Sequence, residues 1–316
     1  MSSANRRVLF ASLAYLLCLL LLQVAGAVFV WLFPAMSQNA MLALVELLTL
    51  GLPALLFILL WRGATRPVWI GPWVLLTVPL AIVGVFAFTM LTGLWSALLT
   101  SLGGGLPDIR VPLPETPSQL AVSLVVVALV PALCEEGLFR GVLLPALGNQ
   151  RRGRAKAIIL SGLAFGLMHG SLTGLWGHVL LGIMLGVLAV YSGSLLPPML
   201  YHFTHNAVSV IVAYFAADVE TLAAAAEAPP VAGAFTLIVQ AVLGAGCFVI
   251  YAVLVALFVR GVKRRGTPAL SLERPQRVAW YAYLPLAIGL ALCIALYVVD
   301  GLMLFGADPL GGLLTP

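Results

Sequence analysis

The sequence predicts an all-α protein, a polytopic bundle of about eight or nine transmembrane helices, and three observations carry that prediction. The chain is 62% hydrophobic and only 9% charged, against roughly 45–50% apolar and about 25% charged in a soluble domain. Its apolar residues fall into nine runs, two of them short, and its basic residues cluster between those runs. A bilayer is therefore the expected solvent, and no soluble domain is expected.

The runs follow in order. Residues 8–33 come after Arg6 and Arg7, and Ala25-Gly26-Ala27 loosely resembles a signal-peptidase site. The run exceeds the roughly 7–15 residues of a signal-peptide core, so an uncleaved first span is expected. Residues 41–61, 69–98 and 119–147 supply the next three spans. Runs 157–169 and 178–191 hold 13 and 14 residues, short of the about 20 that cross a hydrocarbon core. They are expected to extend into segment 169–177 or to form a partly buried hairpin. Residues 197–216, 233–259 and 280–304 complete the set, with Pro197-Pro198 and the glycines around His169 marking helix starts or breaks.

With the N-terminus in the cytoplasm, nine crossings leave segments 1–7, 62–67, 148–156, 192–196 and 260–279 on that side. They hold two, two, four, none and six of the 16 Lys and Arg residues, with Arg110 outside and Arg140 within a span. This is the positive-inside pattern. The net charge of +5 thus reads as a topology signal, and a nucleic-acid partner is excluded. Asp218, Glu220, Glu227, Asp300 and Asp308 fall on the opposite side. Cys18, Cys134, Cys247 and Cys293 stand alone in apolar runs, so neither disulfides nor cysteine-held zinc are expected. The chain divides into N-terminal helices (1–115), a polar-studded core (116–216) and C-terminal helices with a basic cytoplasmic linker (217–316).

Ionisable groups inside a span are costly and mark function. They are Glu46, Glu135, Glu136, Arg140, His169, His178, His202 and His205, with the polar Asn206 beside them. Glu136 and Arg140 stand four apart with Glu first, the favoured order for an ion pair on one helix face, and a buried structural pair is expected. Glu135 points about 100° away round the helix and needs a partner from elsewhere. His169 and His202 can supply one, since a carboxylate and an imidazole can hold and deprotonate a water. His202 and Asn206 repeat the four-residue spacing and offer two donors on one face, as an oxyanion hole requires. Glu46 and His178 are single residues and read as packing or interfacial groups.

Three runs share a resemblance. Glu135-Glu136-Gly137-Leu138-Phe139-Arg140 is similar to the EExxxR motif of the CPBP family of CAAX proteases and bacteriocin-processing enzymes, also called ABI. Phe165-Gly166-Leu167-Met168-His169 resembles its FxxxH motif, and His202-Phe203-Thr204-His205-Asn206 its HxxxN motif. The resemblance spans residues 119–212 and implies a CPBP-type core acting as an intramembrane endopeptidase, nominally a metalloprotease. It implies that Glu135 and His169 activate water, that His202 and Asn206 stabilise the oxyanion, and that Glu136 and Arg140 support them.

Cofactor content stays open. Glu135, His169 and His202 also describe a zinc site with an open position, in which Glu136 would be the base, although pairing with Arg140 would weaken it in that role. The metal-free Glu135–His169 dyad is the slightly preferred alternative. The expected partners are the lipid bilayer and a membrane-associated protein or peptide substrate; the expected location is a bacterial plasma membrane, multi-pass. Two other functions fit the same residues. One is a proton-coupled transporter, since carboxylate–histidine chains also carry protons. The other is a non-catalytic bacteriocin-immunity or scaffold protein.

Overall fold

A computed structural model describes residues 1–60, 74–102, 114–148, 153–225, 234–264 and 277–306. Arg62, Arg66, Arg110, Arg151, Arg152, Glu227, Arg265, Arg274 and Asp308, which entered the topology argument, lie outside these residues. Among the described residues the chain is a helical polytopic bundle without strands. Its helices are α1 (Ser3–Leu32), α2 (Gln38–Leu60), α3 (Thr77–Ser101), α4 (Pro117–Leu147), α5 (Gly153–Met168), α6 (Leu175–Ser192), α7 (Leu196–Ala225), α8 (Ala234–Arg264) and α9 (Leu284–Leu304).

Seven of the helices, α1 to α4, α6, α8 and α9, are long and apolar enough to cross a membrane. Helix α5, at 16 residues, is short of the usual span, and His202, His205 and Asn206 interrupt the apolar stretch of α7. The outside of the bundle is oily: Trp31, Leu60, Leu75 and Trp280 are all at least three-quarters exposed. The polar and ionised groups point inward, with Glu136 and Arg140 fully buried. This reversal of the soluble pattern is what a hydrocarbon solvent selects, and the chain is accordingly an integral membrane protein.

Local sequence sets the helix ends and their irregularities. Helix α4 starts in a capping box, with Gln119 N–H donating to Thr116 Oγ1 at 3.3 Å and Thr116 N–H to Gln119 Oε1 at 3.2 Å, and with Pro117 in the first turn. Gly193, at φ 69°, closes α6 in the left-handed region that glycine enters without a Cβ clash. Three π-helical stretches, Leu47–Gly51, Leu124–Leu129 and Gly137–Leu143, each end one residue before an X-Pro step at Pro53, Pro131 and Pro145. A proline has no N–H to give and its ring crowds the carbonyl four residues back. In lipid the helix cannot simply break, so it widens locally and re-pairs its backbone groups.

Both expectations for the short runs are met in part: α6 extends into segment 169–177 from Leu175 and reaches 18 residues, while α5, at 16 residues, packs against it as a hairpin. Arg154 and Lys156 are absorbed into the first turn of α5. The two helices touch backbone to backbone: a Cβ at Gly162 would lie 2.7 Å from Ile183 N, and one at Gly182 would lie 2.8 Å from Gly162 O. Small residues permit this approach where no hydrophobic effect drives helices together. Around the hairpin, Tyr15, Phe139, Phe165, Leu185 and Leu188 form the centre of the core. Tyr15 Oη donates to Ala164 O at 3.2 Å and Tyr297 Oη to Gly166 O at 3.0 Å. Helices α1 and α9 thereby fix the end of α5 that carries His169.

Candidate active site

The double glutamate occupies the α-helical stretch Val130–Glu136, bracketed by the second and third π stretches. Such bulges rotate the face a helix presents and recur at functional sites. Glu136 Oε1 accepts Arg140 Nη1 at 2.7 Å and His202 Nδ1 at 3.0 Å, so one carboxylate oxygen joins α4 to α7. Arg140 Nη2 continues the chain to Gly182 O on α6 at 2.7 Å. Its guanidinium also lies 4.7 Å from the Phe165 ring centroid, a distance at which a cation is attracted to the ring face. Glu136 and Arg140 are buried and neutralise each other there, while Glu136 Oε2 and Arg140 Nε are left without a hydrogen-bond partner.

Phe165 is the common wall. His169 sits 4.8 Å and His202 5.7 Å from its centroid, so the FxxxH and HxxxN residues meet across one aromatic ring. His169 Nδ1 lies 2.8 Å from Phe165 O. A carbonyl can only accept, so Nδ1 carries the hydrogen and the neutral ring keeps its lone pair on Nε2. His202 Nδ1 likewise faces an acceptor, the Glu136 carboxylate. Both imidazoles therefore have Nε2 as the nitrogen open to chemistry.

Glu135 is 9% exposed, and its Oε2 is buried without a hydrogen-bond partner. No hydrogen bond joins it to His169. Asn206 has one amide hydrogen on Val127 O at 3.1 Å. That carbonyl lies in the second π stretch, four residues before Pro131, which has no N–H to offer it; the asparagine of α7 supplies a donor there beside the π-type pairing of α4. Glu136, Arg140, His169 and His202 thus gather around Phe165, while Glu135 flanks them and Asn206 clips α7 to α4.

Two residues that spacing left as packing groups also belong here. Glu46, on α2 at the start of its π stretch, lies within electrostatic range of Glu135 and His202, with its Oε1 buried and unpartnered. His178 stacks on His169. Neither has a partner at helical spacing, so sequence periodicity carried no signal for them. Among the described residues no three His, Cys, Asp or Glu side chains converge as a metal cage.

Residues 117–208 match the family described as type II CAAX prenyl endopeptidase Rce1-like. The match covers α4, α5, α6 and the first half of α7, and it contains all three motif runs. No curated protein and no solved structure matches the chain.

Proposed function

Because segment 117–208 matches the Rce1-like family and carries the three CPBP-like motif runs, we propose that the chain is an intramembrane endopeptidase that hydrolyses a peptide bond of a membrane-associated protein or peptide. Type II CAAX prenyl endopeptidase chemistry is the reading the domain supports best, and a substrate carrying a prenylated C-terminus is its first candidate. The observation that carries the reading is the pairing of open groups within this domain: an unpartnered, buried Glu135 oxygen and a His169 ring whose Nδ1 is held by Phe165 O, leaving Nε2 for water.

In this mechanism a water held between Glu135 and His169 Nε2 loses a proton to the Glu135 carboxylate as its oxygen attacks the peptide carbonyl carbon. A positioned base of this kind contributes about 10²–10⁴-fold. The carbonyl oxygen becomes an oxyanion and accepts hydrogen bonds from His202 Nε2–H and from the second N–H of Asn206. Donors fixed in a water-poor site are worth far more than the same donors in water. Collapse breaks the C–N bond, and Glu135 returns its proton to the departing amine. Glu136 and Arg140 touch no reacting atom; they hold His202 and the catalytic stretch of α4 in place. Charge distribution supports a cytoplasmic N-terminus and a site open toward the cytoplasmic half.

A substrate-trapping experiment tests this function. Glu135→Gln protein, expressed in place of wild type, should retain uncut substrate through purification, and mass spectrometry should find the matching shortened product only with wild type. Identical peptide profiles for the two proteins would contradict the assignment.

A further inference from the structure

The imidazole of His178, in the first turn of α6, lies against that of His169 with ring centroids 4.0 Å apart and planes 19° apart. The hydrogen bond from His169 Nδ1 to Phe165 O fixes one edge of the His169 ring, and the Phe165 ring bounds it at 4.8 Å with planes 49° apart. His178 is the neighbour that lies nearly parallel to the His169 plane. His178 is not held there by Nδ1, which is buried without a hydrogen-bond partner.

The loop between the two histidines is built to keep them together. Gly170 takes φ 63°, a left-handed turn that reverses the chain directly after His169. Leu172 N–H donates to Asp300 Oδ2 at 2.8 Å, and Trp95 Nε1 donates to Leu172 O at 2.8 Å, so α9 and α3 both tether it. A Cβ at Gly174 would fall 2.6 Å from His178 Cε1 and 3.0 Å from His178 Nδ1; the absence of a side chain at Gly174 is what lets the ring lie flat on His169.

We propose that His178 is a positioning residue for His169, its stacked ring setting the plane of the His169 imidazole and hence the direction of Nε2. The proposal rests on the water-activating role of His169. Full-length protein in lipid nanodiscs with selectively ¹³C,¹⁵N-labelled histidine tests it, since the chain holds only four histidines and loss of a signal in His169→Asn assigns that residue. In His178→Ala the His169 ring signals should move downfield and broaden as the ring current and the clamp disappear.

On a farnesylated CAAX-type reporter peptide, kcat of His178→Ala should fall about tenfold with KM within about twofold, as small misalignments of a catalytic group do. His178→Phe, which keeps a flat ring and has no ring nitrogen, should recover kcat to within about threefold of wild type. A His178→Ala protein with unchanged His169 signals and unchanged kcat overturns the proposal, and so does a His178→Phe protein as slow as His178→Ala. Equal cleavage by wild type and His169→Ala would instead sink the water-activating role, while the spectra would still report whether His178 fixes the ring.

Discussion

His202 Nδ1 lies 3.0 Å from Glu136 Oε1, the oxygen that also accepts Arg140 Nη1 at 2.7 Å. Removing the Glu136 charge therefore strands a fully buried guanidinium and frees His202 together. Glu136→Gln should lower stability by about 3–5 kcal/mol, the usual consequence of breaking a buried pair from one side. The double variant Glu136→Gln with Arg140→Met should regain most of that loss, because a buried pair replaced as a whole is often neutral. Thermal unfolding of the purified proteins in detergent measures both.

Asn206 and Pro131 should be coupled through the Val127 carbonyl. Asn206→Ala leaves that carbonyl short of a donor, at about 1–3 kcal/mol for an unsatisfied buried group. In a Pro131→Ala background the helix regains its own N–H donor at this point, so the same substitution should be nearly neutral. A double-mutant cycle on unfolding midpoints gives the interaction directly. Equal losses in both backgrounds would show that Asn206 does not act through this carbonyl.

The α5–α6 hairpin should tolerate nothing larger than glycine at its contact. Any Cβ at Gly162 meets Ile183 N at 2.7 Å, and backbone cannot yield as a side-chain tip can. Gly162→Val is expected to cost about 1–3 kcal/mol or more by overpacking and to reduce the monodisperse fraction in size-exclusion chromatography. Gly246, with open space around its missing Cβ, should accept alanine without loss.

Orientation has its own test. Helix α8 ends in Lys263 and Arg264, and the positive-inside pattern predicts a cytoplasmic location for that end. A fluorescent reporter fused after Arg264 should be bright, and an alkaline phosphatase fused after Leu304 should be active. The reverse pair of results would invert the topology and move the site to the other half of the membrane.

Much of this architecture was legible in the sequence because hydrocarbon imposes simple demands. Each of the nine apolar runs corresponds to a helix, since no other backbone arrangement in a chain of this pattern satisfies its own hydrogen bonds in lipid. Helix ends were harder: α7 continues to Ala225 through the acidic residues 218 and 220 that mark the end of its apolar run. Pro197-Pro198, read as a helix start, stands in the first turn of α7. The π turns before Pro53, Pro131 and Pro145 had no expectation attached to them; they form because a lipid-facing helix must re-pair what a water-exposed one can leave open. Within one helix, spacing carries contacts such as Glu136–Arg140. Between helices it carries nothing, so the His202–Glu136 bond, the Asn206–Val127 clip, the His178 stack and the approach of Glu46 emerge only from the packing.

The most direct test of the central claim is cleavage by purified protein in proteoliposomes, with wild type, Glu135→Gln and His169→Ala compared on the farnesylated CAAX-type reporter and products read by mass spectrometry. The account predicts a new peptide terminus with wild type and a rate lower by about 10²-fold or more in each variant, as loss of a general base or its partner entails, with unfolding midpoints unchanged. A Glu135→Gln protein that cuts at the wild-type rate would contradict it.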